Sequence, residues 1–272
     1  MDKLSGIISR HNSPAVSTAN TGDCYLQLVC DNYNNRRGTY TGYDCPVCKN
    51  KGDISVVVND AIESLVCKCM EHRRNMARIE NSGLKDLMGT YTFERYTTAN
   101  PWQAGTKAKA MRYVTGHDGK WFYIGGQVGC GKTHLCTAIV AAFLNAGFPA
   151  RYMLWRDEVV PLKAMVTDDA AYADAINKLK TVKVLYIDDF FKTERGRAPT
   201  TADINIAFEL LNYRYNNSDL ITIISSEKTV DELIAIDEAT GSRVYQRSKD
   251  FCINIGTDRT KNFRLNPVED NG

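Results

Sequence analysis

Residues 126–134 read GQVGCGKTH, between the apolar stretch WFYIG and the run LCTAIVAAFL. The spacing Gly126-x-x-x-x-Gly131-Lys132-Thr133 is the phosphate-cradling P-loop pattern. A backbone that wraps a polyphosphate points successive N–H groups inward. The conformations this needs cost a residue with a Cβ more than they cost glycine. Gly126, Gln127, Val128, Gly129, Cys130, Gly131, Lys132, Thr133 and His134 are therefore the expected nucleotide-binding residues. A helix starting at Lys132 would aim its N-terminus at the anion. Lys132 is expected on the β- and γ-phosphates and Thr133 on Mg²⁺. Such a site needs a carboxylate at the C-terminal end of an apolar strand, and VLYIDD supplies Asp188 for Mg²⁺ and Asp189 to polarise the attacking water. The run ITIISSE ends a third strand in polar groups. Ser226 or Glu227 would orient the water there, or the strand end would simply cap the helix that starts near Val230.

A second group of residues points to a metal. Cys45-Pro-Val-Cys48 and Cys67-Lys-Cys69 form two close pairs separated by eighteen residues. Four thiolates suit tetrahedral structural zinc and leave no open position for catalysis. His72 is a substitute ligand, and Cys24 and Cys30 are further candidates. Reduced free thiols are the alternative. The segment is too short to fold on a hydrophobic core alone, which is what a metal would remedy. Cys130 and Cys136 read as a loop residue and a buried helix residue.

These residues need elements to position them. Strand-like WFYIG (121–125), RYMLW (151–155), VKVLYID (182–188), LITIISS (220–226) and FCINI (251–255) alternate with helical patterns at 132–146, 157–180, 202–216 and 237–248. Apolar strands alternating with helices predict a five-stranded parallel sheet flanked by helices, an α/β fold. Residues 71–88 suit a charged helix ending near Ser82-Gly83, and residues 1–44 carry no assignable pattern. The domain expectation is a zinc-binding unit at 1–88, a linker at 89–104 and the α/β domain at 105–272. A chain of 272 residues with 43% hydrophobic and 24% charged residues has ample material for such a core. No apolar run reaches the roughly 18 residues of a membrane span, and the N-terminus lacks a hydrophobic signal core, so a cytoplasmic location is expected. A net charge of +2 leaves any nucleic-acid contact to a local patch.

GQVGCGKTHL, VLYIDD, TIISSE and GSRVYQRS, in this order and spacing, resemble the AAA+ ATPases of the DnaC/DnaI type, the helicase loaders, and the related IstB transposition helpers. The resemblance covers roughly residues 90–265, and YDCPVCKNKG with VCKCMEHRR is similar to the cysteine module of phage-type loaders. It implies a P-loop AAA+ core using ATP and Mg²⁺, here without a lid domain. It also implies a zinc module that contacts a DnaB-type replicative helicase hexamer, binding to single-stranded DNA, and self-assembly into a ring or spiral. Arg243 matches the arginine finger offered to a neighbour's ATP. Asp189 stands where many relatives carry Glu, implying slow hydrolysis, and Glu227 stands where a sensor Asn is common. The resemblance also implies that Arg156, Lys163, Lys178 and Lys180 line a DNA channel. Lys192, Arg195 and Arg197 are a second set for phosphates, and for any residue of either set the alternative is a solvated charge. Phe93, Tyr96 and Trp102 are candidates to stack on adenine, with ordinary packing the alternative. The alternatives are a transposition helper acting on duplex DNA and a nucleotide-switched interaction protein with negligible turnover.

Overall fold

The computed structural model describes residues 21–81, 84–194 and 197–265. The chain divides into two compact units, Met1–Arg73 and Arg74–Gly272.

The first unit is organised around sulfur. Helix α1 (Thr21–Asn35) precedes strands β1 (Asp53–Val58) and β2 (Ala61–Val66), paired antiparallel with Asp53 opposite Val66 and Val58 opposite Ala61. The turn residues Asn59 and Asp60 have φ of 48° and 58°, the left-handed pair that a two-residue hairpin turn requires. Asn34 docks α1 on β1: its amide donates to Ser55 O at 2.8 Å and its Oδ1 accepts from Ser55 N at 2.9 Å. The hairpin spans the gap between the two cysteine pairs. Neither it nor α1 is expected from the sequence. Helix α1 turns Leu26, Val29, Cys30 and Tyr33 inward at helical spacing, but Tyr25 and Leu28 on its exposed side blur that pattern in the sequence.

Helix α2 (Cys69–Asn81) starts at the last clustered cysteine, and the boundary between the units falls within it. Its expected end at Ser82-Gly83 lies outside the described residues. Helices α3 (Lys85–Met88) and α4 (Pro101–Gly116) follow. The expected divisions at 88 and 104 are thereby corrected. Leu84 and Tyr96 are buried in the core of the second unit, and Met88, Phe93 and Trp102 pack against it. The aromatic residues of 89–104 gain more from burial than a solvated linker would allow. Asn100 N–H donates to Gln103 Oε1 at 2.8 Å, which starts α4 at Pro101, inside the expected linker.

Strands β3 (Phe122–Gly126), β4 (Ala150–Leu154), β5 (Val184–Asp188), β6 (Ile221–Ser226) and β7 (Cys252–Ile255) form one sheet. Its order is β4-β5-β6-β3-β7, and every neighbouring pair is parallel. Five parallel strands are the architecture expected. Both faces are apolar. Phe122, Ile124 and Tyr186 face one core with α4 and α5 (Lys132–Asn145). Tyr123, Leu185, Ile187 and Ile224 face a second core. That core is built with α6 (Trp155–Ala164), α7 (Asp169–Thr181), α8 (Thr201–Tyr215), α9 (Val230–Ile236) and α10 (Glu238–Ser248). The buried Arg214 of α8 ties this layer together. Its guanidinium donates to the carbonyls of Leu179, Lys180, Val182 and Ile221 and to the Thr222 hydroxyl. After β7 the described residues hold one 3-10 turn, Arg259–Lys261.

Candidate functional site

The C-terminal ends of β3, β5 and β6 open on a cavity of about 460 Å³. Val128, Gly129, Gly131, Lys132, Thr133 and His134 line one side and Asp189, Lys192 and Glu227 another. The loop can turn there because glycine stands at its tightest points. Gly126 has φ 103°, and a Cβ on it would meet the Ile255 carbonyl at 2.0 Å. Gly131, at φ 89°, opens α5 and faces the Tyr96 ring. Lys132 Nζ donates back to Gly126 O at 2.9 Å and Gln127 O at 2.7 Å. Gln127 and Cys130 do not line the cavity. Gln127 Oε1 accepts from Asp258 N, and the Cys130 thiol donates to Gln127 O. His134 donates Nε2–H to Thr92 O at 2.7 Å and stacks on Tyr91, with ring centroids 4.9 Å apart. Burial lowers its pKa against the opposing pull of that hydrogen bond, so the ring is neutral at pH 7.

Asp188 lies behind Thr133, buried at the end of β5. Its carboxylate accepts from Thr133 Oγ1 at 3.3 Å, Tyr152 OH at 3.1 Å and the Ser225 hydroxyl. A hydroxyl beside a buried carboxylate is an oxygen-only donor set of the kind hard divalent cations take. Asp189 follows with φ 53°, an uncommon conformation for a non-glycine residue. Ser226 is fully buried and donates to Phe190 O at 2.7 Å, so Glu227, not Ser226, faces the cavity. Tyr91, Arg95, Tyr96, Thr97, Gln103, Phe263 and Arg264 complete the lining. Of the aromatic candidates, Tyr96 is in the wall, with its hydroxyl buried and without a hydrogen-bond partner among the described residues. Phe93 and Trp102 do not line the cavity, and Trp102 stacks on Phe263. Sequence reasoning missed Phe263 and Arg264 because their only signal is the loop after β7, where Phe263 N–H reaches Gly129 O at 3.0 Å.

The four clustered cysteines converge in the first unit. All are buried, and their Sγ atoms lie within 4.8 Å of one another. Cys45 and Cys67 sulfurs are 3.8 Å apart and Cys48 and Cys69 sulfurs 3.4 Å. Zn–S bonds of about 2.3 Å in a tetrahedron place sulfurs roughly 3.8 Å apart, so the residues present fit a zinc ion. His72 is outside the cluster and packs on Tyr43, and Cys24 and Cys30 are outside it too. Arg73 braces the ligand loops by donating to Thr41 O and Tyr43 O at 2.6 Å each.

The other candidates are placed as follows. Arg156 pairs with Glu194, Lys163 with Asp203, Lys178 with Asp174, Lys180 with Glu209 and Arg197 with Glu194. The expected cationic lining is thus interleaved with acids among the described residues, and Arg195 lies outside them. Lys192, expected on DNA, instead turns into the cavity. Arg243 is in the second turn of α10 and does not line this chain's own cavity. Its Nε donates to Asn212 Oδ1 at 3.0 Å, and its guanidinium lies 4.8 Å from the Phe208 ring centroid.

The strand order, the P-loop and the acid at the end of β5 define a P-loop protein of the AAA+ class. The chain belongs to the IstB-like ATP-binding protein family, whose model matches residues 58–244. It is 31% identical over 237 residues to the phage-like element PBSX protein XkdC of Bacillus subtilis (strain 168), covering 83% of this chain and 88% of that one. In fold it is similar to the crystal structure of the DnaC helicase loader, with a TM-score of 0.50 at 18% identity, over 63% of this chain and 98% of that chain. AMPPCP-bound DnaA from Aquifex aeolicus matches with a TM-score of 0.50 at 20% identity, over 64% of this chain and 53% of that chain. No helix of the described residues is long and apolar enough to cross a membrane.

Proposed function

We propose that this chain is a cytoplasmic ATPase that loads a DnaB-type replicative helicase hexamer onto single-stranded DNA. The observation that carries the reading is the likeness to the DnaC helicase loader, matched over 98% of that chain. The cavity supports the chemistry. ATP would enter with its phosphates over the loop N–H groups, and Lys132 would exchange the Gly126 and Gln127 carbonyls for β- and γ-phosphate oxygens. Thr133 and Asp188 would hold Mg²⁺, whose role when bound is to neutralise phosphate charge. Glu227 would orient a water. Asp189 would take its proton as the water oxygen bonds to the γ-phosphorus. The bond from that phosphorus to the bridging oxygen breaks, and the electron pair leaves on ADP. Arg243 would reach the γ-phosphate of a neighbouring copy in a ring or spiral. Zinc, held by Cys45, Cys48, Cys67 and Cys69, would order the first unit, which we assign to the helicase contact.

The family match favours a second reading, an IstB-like transposition helper. ATP turnover measured alone, with single-stranded DNA, with duplex DNA and with the helicase separates them. The loader reading expects stimulation by single strands together with the helicase. Stimulation by duplex alone supports the transposition helper. No turnover under any condition leaves a nucleotide-switched interaction protein.

A further inference from the structure

Asp189 and Glu227 follow different strands, yet one cation holds both. Lys192 Nζ is 2.8 Å from Asp189 Oδ2 and 2.9 Å from Glu227 Oε1. All three side chains line the cavity that Lys132 and Thr133 also line. The backbone is built to send Lys192 there. Asp189 and Phe191 have φ of 53° and 57°, a region that bulky side chains avoid. Such conformations persist only where the surroundings impose them. Here Phe190 and Phe191 are buried and stacked with centroids 4.2 Å apart. Phe190 N–H donates to Ser225 O at 2.8 Å, and Lys192 N–H closes the turn on Asp189 O at 2.9 Å. Desolvation pulls the Lys192 pKa down, but the hydrogen bonds and charges of Asp189 and Glu227 outweigh it and leave the pKa raised. The ammonium stays charged throughout the neutral range.

We propose that Lys192 is a positioning residue that gates hydrolysis by exchanging the two carboxylates for a γ-phosphate. The proposal rests on the ATPase reading above. A carboxylate oxygen that already accepts from an ammonium, as Asp189 Oδ2 and Glu227 Oε1 do here, is not open to a water molecule. With no γ-phosphate, Lys192 therefore keeps Asp189 from acting as a base and Glu227 from orienting water. A γ-phosphate brings terminal oxygens of higher charge, which compete for the ammonium. The exchange keeps the proton on Lys192, makes and breaks no covalent bond, and frees both acids together. ADP has no γ-phosphate and leaves the clamp closed. Lys192 thereby couples recognition of the γ-phosphate to release of the base.

The test is equilibrium binding of AMPPCP and of ADP to the full chain, with steady-state turnover, for the unsubstituted protein, Lys192→Met and Lys192→Arg. Lys192→Met is expected to weaken AMPPCP binding about tenfold, the loss of one charge-assisted contact, and to leave ADP binding within about twofold. Lys192→Arg restores most of the preference for AMPPCP. Equal weakening of both nucleotides in the Met variant would mark a merely structural lysine and overturn the proposal, as would an unchanged AMPPCP-to-ADP ratio. If Lys192→Met does not fold, loss of the preference in a folded Lys192→Gln supports the gate, and its retention overturns it. Absence of turnover in the unsubstituted chain would count against the ATPase reading alone, because the binding ratio still reports on Lys192.

Discussion

At the scale of single residues, two of the lysines in the cavity are already held by oxygen acceptors of the chain. Lys132 rests on two loop carbonyls and Lys192 on two carboxylates. Both arrangements offer a cation that a polyphosphate can take over. Lys132→Ala removes the cation that sits on the loop itself. Each charge-assisted hydrogen bond contributes about 1.5–3 kcal/mol, so ATP affinity is expected to fall by roughly thirtyfold or more and turnover to drop below detection. Nucleotide titration checks this beside a circular dichroism spectrum that stays native. Affinity unchanged within about twofold would mean that the phosphates lie elsewhere. The meeting of the Lys132 loop with Asp188 and Asp189 at the strand ends was legible in the sequence, because the P-loop spacing and acids after an apolar strand announce it. The partner of Lys192 was not legible. Its direction depends on the left-handed turn at Asp189 and Phe191, and neither residue type announces a positive φ.

At the scale of elements, the alternation of apolar strands and helices predicted the parallel sheet because the three central strands, β3, β5 and β6, are buried along their whole length. The same reasoning failed for 89–104, where Thr and polar residues between aromatics read as a connector while Tyr96 enters the core. It also failed for the hairpin between the cysteine pairs, where strand β2 is exposed along its whole length. That hairpin has little hydrocarbon to stabilise it, and the four cysteine side chains stand where a core would be. Metal removal is therefore expected to unfold the first unit selectively. Freshly prepared protein should carry about one zinc per chain by elemental analysis, and Cys67→Ser should lose it. A chelator should abolish the cooperative melting of residues 21–73 and leave the transition of the sheet domain in place. Metal-free protein with an unchanged first transition would show that the thiols suffice without an ion.

At the scale of the whole molecule, the account requires copies of the chain to meet. Arg243 is held by Asn212 and the Phe208 ring away from its own cavity, so any role at a phosphate is in another subunit's site. Arg243→Ala should leave ATP binding by a single chain within about twofold and cut stimulated turnover at least tenfold, since arginine fingers supply large factors. Mixing Arg243→Ala with Asp188→Ala should restore part of the activity, because one interface then joins an intact site to an intact finger. No recovery in mixtures shown to co-assemble would place the finger elsewhere. The basic residues paired across the surface bear on DNA in the same way. Exposed pairs such as Arg156 with Glu194 contribute little to stability and can be exchanged for phosphates at small cost. The measurement that tests the central claim most directly is loading of a DnaB-type helicase onto closed circular single-stranded DNA, read as unwinding of an annealed strand. With this chain and ATP, unwinding should rise well above that of the helicase alone, and Lys132→Ala should not support it. Unwinding that is the same with and without the chain, in the absence of any helicase complex, would contradict the account.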